Sequence, residues 1–470
     1  MTRLRPGLKN SRARALGSPE DRGWLLGPAL AACFSMNGTP CKLRGGMKRS
    51  LIAGVVVAVA LLPACGGSGP PAPVGVEQST QARITSPSVS TADATELATD
   101  DRAFAIDLYQ KLRAAAGSDD NLVFSPTSIS IALAMLYNGA ATTTAAEMQT
   151  TLHFTLPADR LNAAFDALDL ALTTPPPSGG AGTFQLSLAN GTWAQQGFTI
   201  LKPYLDVLAE DYGAGINILD FESAPDAARN AINAWVASKT QNEIPMLFPA
   251  GSIDDLTRLV LANAVYFHGD WVTPFHANSP NGAFHAPAGD VSVPMMTGEG
   301  NATIWSAAGW SAASLPYAGD TVSMILIVPD AGTFDSFEAG LTADGLAAIL
   351  AGGQPAGGGL AMPRFKFSRA TALADTLAAM GMPDAFMPTA DFSGIDGAMD
   401  LHVQAVIHQA DIAVDEKGTT AAAATGISVG TLAALLPALT VDRPFLFFIV
   451  HQPTGALLFA GRVVDPSVVN

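Results

Sequence analysis

The sequence of 470 residues predicts an α+β fold with large antiparallel sheets. Helical patterns dominate its first half and strand patterns its second half, without the regular alternation typical of βαβ units. A near-continuous apolar run at 256–271 predicts a strand that is covered on both faces. Residues 444–466 predict a hairpin that turns at Pro453, Thr454 and Gly455.

The N-terminal residues predict export. Met47, Lys48 and Arg49 form a basic segment, and the apolar run that follows at 50–64 is too short for a comfortable membrane span. The run ends in the sequence LPAC, in which the cysteine is Cys65. This pattern resembles a bacterial lipoprotein signal peptide, in which cleavage before the cysteine leaves that residue lipid-modified.

This interpretation divides the N-terminal region into three parts. Residues 1–46 are an extension from an upstream start codon, residues 47–64 are the signal peptide, and residues 65–98 are a flexible linker rich in Gly, Pro, Ser, Thr and Ala. Lipidated Cys65 then anchors the exported protein to a membrane or to the cell surface, within the cell envelope. The alternative is an ordinary secretory signal, which predicts a secreted protein.

Charge and cysteine content exclude several classes of function. The net charge is −16, and without residues 1–49 the chain keeps 15 basic and 39 acidic residues, a net charge of −24. Such an acidic body argues against nucleic-acid binding, because phosphate recognition needs clustered cations. The only cysteines are Cys33, Cys41 and Cys65, so the rest of the chain has no disulfide framework, thiolate metal site or cysteine nucleophile.

The other elements follow from the spacing of apolar residues. Residues 98–116 predict the first helix, with Asp100 and Asp101 at its start. Residues 121–154 open with a short strand and continue as a buried helix. Further segments predict strands within 183–198, a helix and a strand at 204–221, an amphipathic helix at 226–244, strands between 291 and 368, a helix at 372–382 and a strand at 401–416.

No catalytic or metal site is predicted. The chain lacks a G-x-S-x-G elbow, an H-E-x-x-H motif, a P-loop and a convincing G-x-G-x-x-G motif. The Gly-rich segment at 352–359 does not lead from a strand into a helix, as a phosphate-binding loop would. The seven histidines of the chain are scattered, with no pair at metal-ligand spacing on one element. We therefore expect a protein that is not an enzyme and that uses neither a metal nor a cofactor.

Segments spread over 100–466 together resemble the serpin family, in the family's own order. They are NLVFSPTSISIALAMLYNGA, LANGTWAQQGF, YGAGINILDF, INAWVASKT, LVLANAVYFHGDWVTPF, LPYAGDTVSMILIVPD, PRFKFS, DFSGI and DRPFLFFIVHQPTGALLFAGRVVDP. The resemblance implies a monomeric serpin domain at 99–466 with about nine helices, three β-sheets and an exposed reactive-centre loop at about 416–440. It also implies an inhibitor of serine endopeptidases that acts as a suicide substrate. A protease cleaves and acylates the loop, which then inserts into the central sheet as a new strand.

The loop sequence DEKGTTAAAATGISVG at 415–430 fits insertion as a strand. Alternate side chains of a strand face opposite ways, and one face would carry Thr419, Ala421, Ala423 and Thr425. All residues at 419–425 are small, as a close-packed core requires. No charge or proline interrupts them, so neither burial cost nor a missing donor would stall the strand. We expect Gly418 to supply the bend before it.

The resemblance also implies the position of the reactive bond. In most inhibitory serpins the cleaved residue lies fourteen positions after the hinge glycine, which here gives Leu432, followed by Ala433. Thr431 is the second candidate, and Leu435 or Leu436 remain alternatives because loop lengths vary downstream. A leucine at this position suits chymotrypsin-like or elastase-like serine proteases, with subtilisin-like and papain-like enzymes as further targets.

Other residues match mechanical parts of the family. The shutter group, whose polar side chains switch hydrogen-bond partners beneath the central sheet, is matched by Ser125, Ser128, Asn263 and His408. Trp271 matches the residue where the loop first enters, and Glu416 with Lys417 match the hinge corner. Thr420 departs from the family, which often has Glu there. The alternative function is a non-inhibitory serpin that acts as a binding or chaperone-like module, but such members tend to carry bulky, charged or proline residues at 419–425.

Overall fold

Helices and strands follow one another irregularly, and the α+β class predicted from the sequence is confirmed. The computed structural model describes residues 75–173, 184–352, 356–419 and 438–468, and all of them belong to one compact unit. These residues form ten α-helices, one 3-10 helix and sixteen β-strands. The predicted signal peptide, Cys65 and most of the predicted loop lie outside the described residues.

The elements are numbered in chain order. The helices are α1 (Thr91–Ala115), α2 (Pro126–Tyr137), α3 (Thr142–Thr151), α4 (Ala158–Thr173), α5 (Lys202–Tyr212), α6 (Pro225–Lys239), α7 (Phe334–Ala339), α8 (Ala343–Leu350), α9 (Ala374–Met380) and α10 (Ser393–Asp396), with the 3-10 helix at Asp384–Phe386. The strands are β1 (Gly75–Glu77), β2 (Leu122–Phe124), β3 (Gln185–Gln195), β4 (Ile216–Leu219), β5 (Leu259–Asp270), β6 (Asn281–Ala286), β7 (Gly289–Ala307), β8 (Trp310–Pro316), β9 (Val322–Pro329), β10 (Ala356–Pro363), β11 (Phe365–Ala372), β12 (Val403–Val414), β13 (Gly418–Thr419), β14 (Leu439–Thr440), β15 (Phe445–His451) and β16 (Ala456–Val463).

The strands form two hydrogen-bonded networks. The central sheet has seven strands in the order β1-β4-β3-β5-β13-β12-β11, and the second network has nine, in the order β14-β10-β7-β8-β9-β15-β16-β2 with β6 paired to β7. The three sheets implied by the resemblance are thus joined into two networks. The reason is β7, which is 19 residues long and pairs with β6, β8 and β10 along its length.

Strand β5 has both faces covered, as its apolar sequence predicts. Val265 and Phe267 lie in the main core, whereas Ala262 and Ala264 lie in a smaller cluster together with residues of α6. Alternate residues of one strand thus enter two different cores. The centre of the sheet is a packed layer, and a strand added there would need small side chains on at least its inner face.

The linker prediction is wrong for residues 75–98, and the first helix begins earlier than predicted. Strand β1 pairs antiparallel with β4 at the edge of the central sheet. Helix α1 begins after Ser90, whose Oγ accepts a hydrogen bond from the N–H of Asp93 at 3.1 Å. Asp100 and Asp101 therefore lie buried in the middle of the helix and not at its start.

The chain between β1 and α1 is held by Arg83. Its Nη2 atom lies 2.9 Å from Asp166 and 2.6 Å from Asp169, both on α4. The side chain of Asp166 is completely buried, so the guanidinium compensates a carboxylate that has lost its water. The N–H of Ile84 also donates to the carbonyl of Glu210 at 2.8 Å. Within the described part of the chain, no helix has the length and apolarity needed to cross a membrane.

Candidate functional site

The candidate site is the seam of the central sheet, where β5 and β12 run parallel to each other. They pair from Val403 with Leu259 to Ala410 with Val265. At one end of the seam the chain turns back after β12, and the two residues of β13 lie between the two strands. Strand β13 is antiparallel to both of its neighbours. Strand β13 therefore separates the two strands at this end, and they pair directly with each other along the rest of the seam.

A tight turn aims the chain into the seam. The Oδ1 atom of Asp415 accepts hydrogen bonds from the N–H of Lys417 at 2.8 Å and from the N–H of Gly418 at 3.2 Å. The N–H of Asp415 donates to the carbonyl of Gly418 at 2.9 Å. Asp residues favour such turns because their side chains can bind backbone donors two or three residues on. The reversal of direction is thus made by residues 415–417.

Trp271 and Glu416 hold the outside of this turn. The indole Nε1–H of Trp271 donates to the carbonyl of Asp415 at 3.0 Å, and its backbone N–H donates to the carbonyl of Lys417 at 2.7 Å. The carboxylate of Glu416 pairs with Arg364 and accepts a hydrogen bond from the hydroxyl of Ser279. These contacts lower the pKa of Glu416 against the opposing effect of burial. The charged hinge corner is thus anchored to Arg364, which joins β10 of the second network to β11 of the central sheet.

Gly418 is required for close packing and not for the bend. It is absent from the described glycines with positive φ, so its backbone is open to any residue. A Cβ atom added to it would lie 2.0 Å from the carbonyl oxygen of Gly269 and 2.8 Å from the Cα of Asp270. The prediction that Gly418 supplies the bend is therefore wrong, since the bend belongs to Asp415 and its hydrogen bonds.

Thr419 already faces the core. It is only 1% exposed, and its hydroxyl lies 2.6 Å from the hydroxyl of Tyr317. The ring of Tyr317 stacks on Trp271, with centroids 4.4 Å apart, and both rings belong to the main core. The inward orientation of Thr419 sets the orientation of every second residue after it, if the strand were to continue.

Below this end of the seam, the four shutter residues lie together. Asn263 on β5 is paired in register with His408 on β12, and the Nδ1 atom of His408 is hydrogen-bonded to Oδ1 of Asn263. The amide of Asn263 donates to the carbonyl and to the hydroxyl of Ser128, at 2.9 and 2.6 Å. The N–H of Ser125 donates to Nε2 of His408 at 3.0 Å.

The hydrogen bonds define the state of His408. Since Nε2 accepts from a backbone N–H, the ring carries its proton on Nδ1 and donates it to Asn263. The ring is completely buried, and burial lowers the pKa of His408 to about 3. The side chain is therefore neutral at physiological pH, and a hydrogen bond between two neutral groups closes the seam.

Four residues of the site were missed in the sequence. Asn190 on β3 accepts from Asn263 and, at 3.0 Å, from the hydroxyl of Ser128. Tyr317, Arg364 and Ser279 contact Trp271, Thr419 or Glu416 from positions far along the chain. Three of the four, Asn190, Tyr317 and Arg364, stand in segments that carry the serpin resemblance, but no local pattern marks them as partners of the hinge or the shutter group.

The remaining predicted site residues lie outside the described part of the chain. They are Ala421, Ala423 and Thr425 of the hinge, Leu432 and Ala433 of the predicted reactive bond, and Cys65. Among the described residues, no group of three or more His, Cys, Asp or Glu side chains is arranged to hold a metal ion.

Comparison with known proteins gives one family. Residues 99–466 match the family model for Serpin (serine protease inhibitor). The chain is 37% identical over 369 residues to an uncharacterized serpin-like protein of Thermococcus kodakarensis, covering 77% of this chain and 84% of that protein. It is 34% identical over 379 residues to the leukocyte elastase inhibitor of Bos taurus, covering 77% and 97%. The crystal structure of a thermophilic serpin, tengpin, in the native state aligns with a TM-score of 0.72 at 27% identity, covering 83% of this chain and 100% of that one.

The buried His408 predicts a loss of stability in acid. Its pKa of about 3 in the folded protein lies below the ordinary value of 6.5. Above pH 6.5 the ring is neutral in both the folded and the unfolded protein, so it does not reduce the free energy of unfolding. As the pH falls below 6.5, the unfolded chain gains a proton that the folded protein refuses. The free energy of unfolding therefore falls by about 1.4 kcal/mol for each pH unit.

The substitution His408→Gln removes the titrating ring and with it this pH-dependent loss of stability. We expect the variant to be less stable than the parent at pH 7.5, and the difference to shrink by about 3 kcal/mol at pH 4.5. The measurement is the free energy of the first unfolding transition in urea at both pH values. The control is His285→Gln. His285 is exposed, and Asp290 raises its pKa, so this substitution should not reduce the loss of stability in acid. An equal fall in the parent and His408→Gln would contradict the prediction.

Proposed function

This chain belongs to the serpin family, and we propose that it inhibits serine endopeptidases as a suicide substrate. In the proposed reaction the protease serine Oγ attacks the carbonyl carbon of Leu432. The peptide bond to Ala433 breaks, the amine of Ala433 leaves with the proton, and an ester joins Leu432 to the protease. Insertion of the loop into the central sheet then traps the acyl-enzyme before water can cleave the ester.

The observation that carries this proposal is the position of β13. The two strands of the seam pair parallel to each other, and parallel pairing is slightly less stable per residue than antiparallel pairing. Strand β13 is antiparallel to both strands. Its continuation would therefore replace one parallel ladder by two antiparallel ladders. Insertion breaks one ladder of backbone hydrogen bonds and forms two, which is a net gain of one ladder.

The register of β13 predicts where the inserted strand would go. Gly418 pairs with Asp270 and Thr419 with Gly269 on β5, and Thr419 pairs with Val414 on β12. An unbroken antiparallel continuation brings Thr425 between Asn263 and His408, which now face each other across the seam. Insertion must therefore break the hydrogen bond from His408 to Asn263, and the threonine hydroxyl can offer both of them a new partner.

The same register predicts which side chains must be small. Since Thr419 faces the main core, Ala421, Ala423 and Thr425 would face it too. Overpacking a well-packed core costs about 1–3 kcal/mol for each misfit. Alanine and threonine at these positions keep that cost low, whereas the large or charged residues of a non-inhibitory member would not.

The proposed target class follows from Leu432. A leucine at the reactive bond fits an apolar primary pocket, and a relative from Bos taurus is named leukocyte elastase inhibitor. We propose chymotrypsin-like or elastase-like proteases as the main targets, and subtilisin-like or papain-like proteases as further ones. The inhibitor acts as a monomer, is not itself an enzyme and requires no metal or cofactor. It works outside the cytoplasm, anchored in the cell envelope through lipidated Cys65.

Mixing the protein with chymotrypsin or pancreatic elastase tests the proposal. We expect an adduct that survives SDS, together with a C-terminal fragment whose first residue is at or near Ala433. Denaturing gel electrophoresis and N-terminal sequencing of the fragment measure both. Complete turnover of the loop without an adduct would show a substrate and would favour the alternative of a non-inhibitory serpin. A fragment that begins elsewhere would move the reactive bond but keep the inhibitor.

A charge on the inward face of the hinge should convert the inhibitor into a substrate. Thr419→Arg would bury a guanidinium against Tyr317, so insertion should slow and the protease should escape by hydrolysis. The matched control is Thr420→Arg, which adds the same charge to the opposite face of the strand. We expect the number of inhibitor molecules consumed per inactivated protease to rise at least tenfold for Thr419→Arg and much less for the control. Equal effects of the two variants would contradict the predicted orientation.

Substitution of Cys65 tests the anchor. Expressed in a bacterium that processes lipoproteins, the parent should sediment with membranes, and Cys65→Ala should appear in the soluble fraction. Immunoblots of fractionated cells measure this, with protease inhibition as a check that the released protein is folded. Retention of an active Cys65→Ala variant on membranes would contradict lipid anchoring and leave the inhibitor proposal intact.

A further inference from the structure

A groove unrelated to the seam lies between α1, α4 and the turn that joins β15 to β16. Its volume is about 400 Å³, which is within the range of small-molecule sites. The surface is mostly apolar, and Ala94, Leu97 and Ala98 of α1 face Leu168 of α4 and Gly455 of the turn across it. None of these residues takes part in the hinge or the shutter group.

The groove exists because its residues are small. Ala94 and Ala98 stand one helical turn apart on α1, and larger side chains at either position would fill the space between the two helices. Gly455 has φ of 72° and lies where an added Cβ would meet the Cβ of Ala98 at 3.9 Å. The turn therefore approaches α1 closely while the groove beside it remains open.

A single charged residue lines this groove. Asp101 lies on α1 one turn beyond Ala98, and no other described residue of the lining carries a charge. Its side chain is 5% exposed. The Oδ1 atom accepts a hydrogen bond from the hydroxyl of Ser130 at 2.6 Å. The Oδ2 atom is buried and has no hydrogen-bond partner among the described residues.

Two other buried carboxyl groups nearby are paired with arginines, whereas Asp101 is paired with none of the described arginines. Asp93 at the start of α1 pairs with Arg160, and Asp166 on α4 pairs with Arg83. Within the described part of the chain, Asp101 has no such cation, and its neighbour Asp100 adds a second negative charge. Burial, the largest effect, raises the pKa of Asp101 to about 7. A buried acceptor without a donor costs about 1–3 kcal/mol. A ligand that donates a hydrogen bond to Asp101 would recover this free energy.

We propose that the groove binds a small organic amine with an apolar body, whose ammonium group pairs with Asp101. The ammonium supplies both the missing hydrogen-bond donor and the missing positive charge, and a charge-assisted hydrogen bond is roughly twice as strong as a neutral one. The apolar body lies against the alanine and leucine side chains of α1 and α4. This site is independent of the inhibitory function.

The test compares three probes that share one ring and differ in charge. The purified protein is titrated with 2-phenylethylamine, 2-phenylethanol and 3-phenylpropanoate, and binding is measured by calorimetry and by ligand-observed NMR. We expect saturable binding of the amine, at least tenfold tighter than that of the alcohol or the carboxylate. Equal affinity for amine and alcohol, or no saturable binding of the amine, would overturn the proposal.

Two variants and one control locate the site. Asp101→Asn keeps an acceptor for Ser130 but removes the charge, so the preference for the amine over the alcohol should vanish. Ala94→Phe changes an exposed position at the edge of the groove and should abolish binding of the amine by filling the space, even if Asp101→Asn were to misfold. Asp119→Asn removes an exposed acid outside the groove and should change nothing. Unchanged amine binding by folded Ala94→Phe, or by folded Asp101→Asn, would also overturn the proposal.

Discussion

The parallel pairing of β5 with β12 is the constraint on which the rest of this structure depends. A strand that lies between two parallel strands can pair antiparallel with both of them. Strand β13 has already occupied the first two positions of that strand. The seam below it is held by backbone pairs and by side-chain hydrogen bonds, from His408 to Asn263 and from the N–H of Leu259 to Gln404. In this structure β5 and β12 are thus separated by β13 at one end and pair directly with each other along the rest of the seam.

Different kinds of contact occur at the two ends of the seam. At the end where β13 lies, Gly418 packs so closely against β5 that an added Cβ atom would be 2.0 Å from the carbonyl oxygen of Gly269. The next residue, Thr419, reaches the core beside Tyr317. Lower down, the neutral ring of His408 and the amide of Asn263 close the gap, with Asn190 and two serines as further partners. Hydrogen bonds between neutral groups contribute only about 0.5–1.5 kcal/mol each. Each of these bonds therefore adds only a small stabilising contribution to the backbone pairing of the seam.

Away from the seam, the N-terminal segment covers an edge and supplies a charge. Strand β1 pairs with β4, so β4 does not present unpaired backbone groups to other chains. Arg83 brings a cation to the buried Asp166. Asp101 on α1 receives no comparable partner from the described residues and lines a groove of small side chains. The two carboxyl groups lie on neighbouring helices, yet only one of them is neutralised by the protein itself.

The sequence by itself determined the class of the fold, the order of most elements and the character of the hinge. Apolar periodicity and turn residues act over a few positions, so β5, the β15–β16 hairpin and the small residues at 419–425 could be recognised locally. Ser90, a helix cap hidden in a Ser- and Thr-rich segment, was missed, and with it the true start of α1. The tertiary structure alone decided which distant residues meet. His408 and Asn263 are 145 positions apart, Tyr317 and Thr419 are 102 apart, and Gly418 is constrained by the carbonyl oxygen of Gly269. Such contacts depend on the pairing register of strands far apart in the chain, and no local pattern encodes that register.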